Sequence, residues 1–269
     1  MTARNDAASN DVWAQAEAYE LYVGRWSRAV AEQFLKALAI PPDASWLDIG
    51  CGTGALSQCV LDHHAPRRVV GIDLSDDFVR YARAHVTDPR ADFRTGDARA
   101  LPVEDGAFDA AVSGLMLNFV PEPSAALAEM RRAVRPGGCI AAYVWDYAGG
   151  IQLMRHFWDA ATALDPQARE RDEAVRFASC RPDPLRALFE GAGLRDVTVD
   201  AIEIPTLFRD FNDYWSPFLG GQGPAPGYCM SLPEDDRDEL RELIRAALPM
   251  NADGSIPLTA RAWAVSGVG

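Results

Sequence analysis

Three short clusters in this chain have the residue types to hold a nucleoside. The first is Leu47-Asp48-Ile49-Gly50-Cys51-Gly52-Thr53-Gly54, with a carboxylate two positions before the first of three alternating glycines. Glycine lets a backbone turn tightly and approach a ligand closely, and a helix that starts after such a turn offers free N–H groups. The spacing is G-x-G-x-G, not the G-x-G-x-x-G of dinucleotide binders. The second is Asp73, closing the apolar run Arg68-Val69-Val70-Gly71-Ile72, where a carboxylate can accept two hydrogen bonds from ribose hydroxyls. The third is Gly96-Asp97-Ala98. There Asp97 can accept from the exocyclic amine of adenine while a backbone N–H meets the ring nitrogen. Each cluster also has a plain structural reading: a tight strand–helix connection, a cap for the helix beginning at Ser75, and a turn residue.

These groups need a sheet to position them, and the hydrophobic pattern supplies one. Ser45–Gly50, Arg68–Asp73, Ala91–Thr95, Phe108–Ser113 and Cys139–Trp145 read as buried strands, separated by helical patterns. Ser75 caps one helix, with Asp76 and Asp77 in its first turn. Ser124–Val134 forms another, stopped by Pro136-Gly137-Gly138. Strands alternating with helices predict an α/β fold with a parallel sheet covered on both faces. After Tyr147 the alternation breaks. A helix over 184–192, a strand over 196–204, a charged helix over 233–248 and a last strand over 256–265 interrupt segments rich in Trp, Phe, Gly and Pro. Those segments read as a helical, aromatic-rich cap over the carboxyl edge of the sheet.

Composition removes several function classes. The 269 residues carry 26 Lys+Arg against 39 Asp+Glu, a formal charge of −13, which disfavours nucleic acid and anionic lipid as partners. Lys36 is the single lysine, so a P-loop is excluded and Schiff-base chemistry disfavoured. The cysteines Cys51, Cys59, Cys139, Cys180 and Cys229 are scattered without a C-x-x-C pair, which argues against a disulfide framework or zinc knuckle. His63, His64, His85 and His156 show no H-x-x-x-H spacing, and no metal site is expected. With no apolar leader at Met1–Asp6 and no run of about 18 apolar residues, the expected location is the cytoplasm, without membrane insertion.

Taken together and in this order on strand ends, the three clusters resemble the class I S-adenosylmethionine-dependent methyltransferases. The likeness extends from about residue 43 to 145 and includes Leu101-Pro102, Phe108-Asp109 and Arg135-Pro136-Gly137-Gly138. It is strongest to the small-molecule branch that contains the ubiquinone and menaquinone biosynthesis enzymes. The resemblance implies a Rossmann-like, doubly wound, mostly parallel seven-stranded sheet with an antiparallel last strand. It implies an N-terminal cover and cofactor-binding core over residues 1–146, a cap insertion over 147–182 and a return to the core over 183–204. A second cap segment over 205–252 and a last core strand over 253–269 follow.

The cofactor implied is S-adenosylmethionine. Asp48, Gly50, Cys51, Gly52 and Gly54 would hold it from the first cluster, Asp73 and Leu74 from the second, and Asp97 and Ala98 from the third. Ser113 and Leu115 would contribute from the fourth strand's end. Tyr22, Arg25 and Trp26 are the counterparts of a segment that folds over the cofactor in that branch, with Arg25 placed to pair its carboxylate. The methyl acceptor is expected to be a small, aromatic or apolar molecule bound by cap aromatics such as Phe157, Trp158, Trp215, Phe218 and Tyr228, beneath a lid loop Gly220–Gly227. His156 and Asp146 are the candidate general bases. The fourth strand lacks the Asn/Asp-Pro-Pro-Tyr/Phe pattern of methyltransferases that act on nucleobase amino groups. Two other readings stay open: a non-enzymatic S-adenosylmethionine sensor, and an NAD(P)-dependent Rossmann oxidoreductase.

Overall fold

The computed structural model describes residues 25–221 and 223–269. They group into two units. The sheet unit comprises Trp26–Val144, Ser179–Ile202 and Ala262–Gly269; the helical unit comprises Arg25, Trp145–Ala178 and Glu203–Arg261. Tyr22 lies outside the described residues.

Seven strands form one sheet: β1 (Ser45–Ile49), β2 (Arg68–Asp73), β3 (Ala91–Thr95), β4 (Phe108–Gly114), β5 (Val134–Trp145), β6 (Arg195–Phe208) and β7 (Ile256–Val268), in the order β3-β2-β1-β4-β5-β7-β6. β1 runs parallel to both β2 and β4, and β2–β3 and β4–β5 are parallel as well. β7 is antiparallel to β5: Gly137 donates to Gly269 and Gly269 to Gly138, while Asp146 donates to Arg261, so residue numbers rise on one strand as they fall on the other. The strand order reverses between β1 and β4, the switch point where open α/β sheets bind ligands.

β1 lies between two partners, and all five of its residues are buried. This explains why it reads as a continuous apolar run rather than an alternating one. Helices α1 (Arg25–Ala37), α2 (Ala55–His63), α3 (Asp76–His85) and α4 (Pro123–Ala133) supply apolar faces, among them Phe34, Leu35, Val60, Val79, Leu127 and Met130. Ser75 caps α3 by accepting from Phe78 at 3.4 Å. Proline at the first position of α4 forgoes an N–H that would have no helical partner.

The structure departs from the sequence expectations at boundaries. β5 begins at Val134, directly after α4, and runs through Pro136-Gly137-Gly138 instead of starting at Cys139. A register shift between Phe108 and Ala110 makes this tolerable, because a bulge absorbs the residue that cannot donate. β6 and β7 are longer than their apolar patterns because each supports the other, as in the Thr198–Ser266 hydroxyl contact of 3.0 Å. The helical unit contains α5 (Gln152–Leu164), α6 (Glu173–Arg176), α8 (Phe211–Trp215), α9 (Pro224–Ser231) and α10 (Glu234–Ala247); α7 (Pro182–Gly191) belongs to the sheet unit. The stretch expected as a lid loop is helical from Pro224 onward, with Pro224, Ala225 and Pro226 buried. Proline at the start of a helix is compatible with it, so a Pro-rich segment need not be a loop. Among the described residues no helix is long and apolar enough to cross a membrane.

The turn leaving β1 depends on Gly50, whose φ is +70° and whose missing Cβ makes room for the Met116 side chain. Gly50→Ala is expected to destabilise the protein by about 1–3 kcal/mol through backbone strain and overlap. Urea denaturation should also show partial rescue in Gly50→Ala/Met116→Ala, which removes the overlap with the Met116 Cγ and Cε but keeps that with its Cβ and the strain.

Candidate functional site

The three sequence clusters meet at Asp73. Gly50 and Cys51 donate to the Ile72 carbonyl at 2.7 and 3.1 Å, which pins the glycine turn against the end of β2. The Asp73 carboxylate then takes the Gly52 N–H on one oxygen and the Ser75 N–H on the other, each at 2.9 Å. Its backbone carbonyl takes the Gly96 N–H at 2.9 Å. One residue thus joins the β1 turn, the start of α3 and the β3 turn. Burial raises the Asp73 carboxyl above its ordinary value, opposed by the Ser75 and Gly52 N–H groups. Each carboxylate oxygen keeps a further lone pair for a hydroxyl. Beside it Leu74 is 74% exposed, an apolar side chain left facing solvent. Gly52 has φ +51° and nothing within 4 Å of where a Cβ would stand, so the backbone there borders open space.

Asp48 sits deeper, 1% exposed. One oxygen accepts from the Ser57 hydroxyl on α2 at 2.7 Å; the other is buried without a hydrogen-bond partner. Burial pushes the carboxyl up to about 7; the Ser57 hydrogen bond lowers it and the Asp73 charge raises it further. Burial also pushes the Cys51 thiol well above its ordinary value, so it is a neutral thiol and no nucleophile. Gly54, with φ +86°, leads into α2.

Ser113 lies one residue past the Asp48–Val112 pair and is fully buried with its hydroxyl unpartnered. Leu115 adopts φ +59°, held by its N–H to the Tyr143 carbonyl at 2.8 Å. Sequence reasoning passed over Asn118, in the 3-10 turn Leu117–Phe119. Both polar atoms of its amide are buried and unpartnered. The available signal was a carboxamide inside the otherwise apolar run Leu115–Phe119.

Several of the other predicted residues have partners within the chain. Asp97 is bound by the Arg99 backbone and guanidinium, at 2.8 and 2.7 Å, which hold its carboxyl below the usual range; Ala98 beside it is half-buried. Trp26 is half-buried in the sheet unit. Arg25, in the helical unit, pairs with Asp213 at 3.0 Å and lies 4.6 Å from the Phe208 ring centre. Asp146 is buried 3.4 Å from Arg261. His156 is half-buried, and burial lowers its pKa against the opposing charge of Asp159. The aromatics of the helical unit pack on one another: Phe157 stacks on Phe218 at 4.6 Å, Trp158 lies 5.5 Å from Tyr228, and Trp215 6.0 Å from Phe218.

The Asp48 carboxyl makes stability pH-dependent. Its folded value, about 7, lies above the ordinary 3.8, so between those values the folded state holds a proton that the unfolded chain releases. Stability contributed below about pH 4 is therefore lost as pH rises through about 7. Asp48→Asn is expected to flatten this decline by an amount of the order of 1–4 kcal/mol. Urea midpoints across the range measure it, and an unchanged slope would contradict the assignment.

Residues 47–142 match the family model of a methyltransferase domain. A demethylmenaquinone methyltransferase of Roseiflexus castenholzii is 33% identical over 180 residues, covering 60% of this chain and 73% of that protein. An uncharacterised 37.1 kDa protein of a Streptomyces fradiae transposon is 40% identical over 114 residues, 42% of this chain but only 33% of that longer protein. In fold, the chain is similar to the phosphoethanolamine N-methyltransferase 2 of Haemonchus contortus bound to S-adenosylmethionine. The TM-score is 0.58 at 16% identity, covering 94% of this chain and 56% of that one. At the identity and coverage of the Roseiflexus relative, and with the glycine turn, Asp73 and the β3 turn joined at the sheet's switch point, the chain belongs to the class I S-adenosylmethionine-dependent methyltransferases.

Proposed function

We propose that this enzyme transfers a methyl group from S-adenosylmethionine to a small acceptor with an aromatic or otherwise apolar body. The single observation that carries the reading is the set of polar atoms without partners at and just past the carboxyl ends of β1 and β4. These are the Asp48 oxygen, the Ser113 hydroxyl and the Asn118 amide, all buried and unpartnered, while the backbone at Gly52 borders open space. Buried polar atoms without partners are costly, and a ligand with several hydrogen-bonding groups would complete them.

The residues present fit the cofactor. Asp73 can accept ribose hydroxyls on the lone pairs its two backbone donors leave free. The free oxygen of Asp48 suits a cationic amino group, which would also favour the ionised carboxylate. Leu74 gives an apolar face for a purine. Asp97 can accept from an exocyclic amine while keeping Arg99. The bound cofactor supplies a methyl group on a cationic sulfur, displaced in line by the acceptor. Since the departing sulfide is neutral, the chain's task is chiefly alignment, worth up to about 7–11 kcal/mol of a barrier.

Of the two candidate bases, His156 is favoured. Its lowered pKa keeps the imidazole neutral and able to accept a proton near pH 7, whereas Asp146 already faces Arg261. The aromatic acceptor is supported by the Phe157–Trp158–Phe218–Tyr228 cluster and by the quinone-pathway name of the Roseiflexus relative.

Incubation with methyl-labelled cofactor and a panel of phenols, quinols, carboxylates and amines tests the reading. Label is expected in a phenol or quinol. Asp73→Ala should weaken cofactor binding by about 1.5–3 kcal/mol, roughly ten- to over a hundredfold. Transfer only to carboxylates or amines would overturn the acceptor class, and unchanged affinity in Asp73→Ala would overturn the cofactor site.

A further inference from the structure

The turn after β3 places a bidentate ion pair on one carboxylate. Asp97 Oδ1 accepts from the Arg99 backbone N–H at 2.8 Å and from its Nε at 3.1 Å. Oδ2 accepts from Nη2 at 2.7 Å and shares the Nε proton at 3.2 Å. A carboxylate has roughly four lone-pair sites. The backbone N–H, Nε and Nη2 occupy all but one of them, and the site left is on Oδ2. With its side chain 35% exposed, Asp97 is open to solvent.

The backbone on either side of Asp97 is fixed by other contacts. Gly96 donates to the Asp73 carbonyl at 2.9 Å, and Ala100 to the Asp97 carbonyl at 3.0 Å. Behind the turn, a Cβ on Gly96 would overlap Ile72 and Pro102. Helix α4 holds the residue that follows: Glu129 accepts from the Leu101 N–H at 2.8 Å, and Arg132 donates to the Leu101 carbonyl at 3.0 Å. None of these contacts orients the Asp97 side chain. Arg99 does, because a planar guanidinium that grips both oxygens sets the plane of the carboxylate as well as its place. The Arg99 hydrogen bonds also hold the carboxyl below its ordinary value, so it stays ionised and acceptor-only. Glu122 lies 3.8 Å from Arg99 Nη1, on the nitrogen that Asp97 does not use.

We infer that Arg99 is a positioning residue for base recognition, fixing the Asp97 carboxylate so that the lone pair left on Oδ2 meets an exocyclic amine on the cofactor's base. The inference rests on the reading above that Asp97 faces that amine. It adds the residue through which a purine with an amino group would be selected over the same purine without one. Arg99 lies outside the Gly96-Asp97-Ala98 cluster and is recognised by its grip on both oxygens. An exposed ion pair contributes little to folding stability, so the effect of this one is read in binding.

Calorimetry on the full chain compares S-adenosylhomocysteine with its 6-deamino analogue, in which hydrogen replaces only the exocyclic amine. Wild-type protein is expected to prefer the amine by about tenfold or more, the worth of a hydrogen bond to a charged acceptor. Arg99→Ala should cut that preference roughly threefold or more, as coupling between contacting residues does, by weakening the amine ligand and sparing the analogue. Arg99→Gln, which keeps the stem and removes the charge and the fork, serves if Arg99→Ala folds poorly. Asp97→Ala should bring the ratio near one, and adding Arg99→Ala to it should change the ratio no further, because Arg99 acts through Asp97. A merely structural role would weaken both ligands together and leave the ratio intact. Equal affinities in wild-type protein, an unchanged ratio in Arg99→Ala, or a ratio that Arg99→Ala still alters when Asp97 is absent would overturn the inference. Failure of the wild-type protein to bind S-adenosylhomocysteine at all would instead fault the proposed function.

Discussion

The contact between the Asp73 carboxylate and the Gly52 and Ser75 N–H groups is the constraint on which the site depends. A carboxylate held by two backbone donors on separate loops fixes both loops to one strand end. Charged acceptors make hydrogen bonds worth about 1.5–3 kcal/mol each, enough to hold a turn whose glycines all adopt positive φ. The parallel register of β1 on β2 puts the turn within reach, since Ile49 pairs with Ile72 and the next residue donates to the Ile72 carbonyl. Chain order, strand pairing and one side chain thus bring together residues more than twenty positions apart.

The same arrangement explains why the site is electrostatically uneasy without a ligand. Asp48 and Asp73 are both largely buried, the Asp73 charge disfavours that of Asp48, and no cation lies among the groups that shift either of them. Their partners are a hydroxyl and amide N–H groups, which stabilise charge only in part. In the proposed site a nucleoside carrying hydroxyls and a cationic amino group would add the remaining partners.

Much of this was legible in the sequence because it is local. The Gly50–Gly54 turn, Asp73 at a strand end and Ser75 as a cap are all set by neighbours a few positions away, and strand–helix alternation fixes the parallel part of the sheet. What sequence could not show is decided by distant partners. β5 absorbs Pro136 because β4 shifts register opposite it, and β6 and β7 outrun their apolar patterns by pairing with each other. Asn118 stands out only when the lack of partners for its amide is known. Pro224-Ala225-Pro226 reads as a loop by composition and is a buried helix start by packing.

Amide hydrogen exchange with and without S-adenosylmethionine tests the central claim most directly. If the Asp73 joint holds the nucleoside, the cofactor should add protection concentrated at the Gly50–Gly54 turn, Asp73–Asp76 and Gly96–Ala98, with the Gly52 amide among the most strongly affected. Protection confined to other segments, or none at these three while the cofactor is bound, would contradict the account.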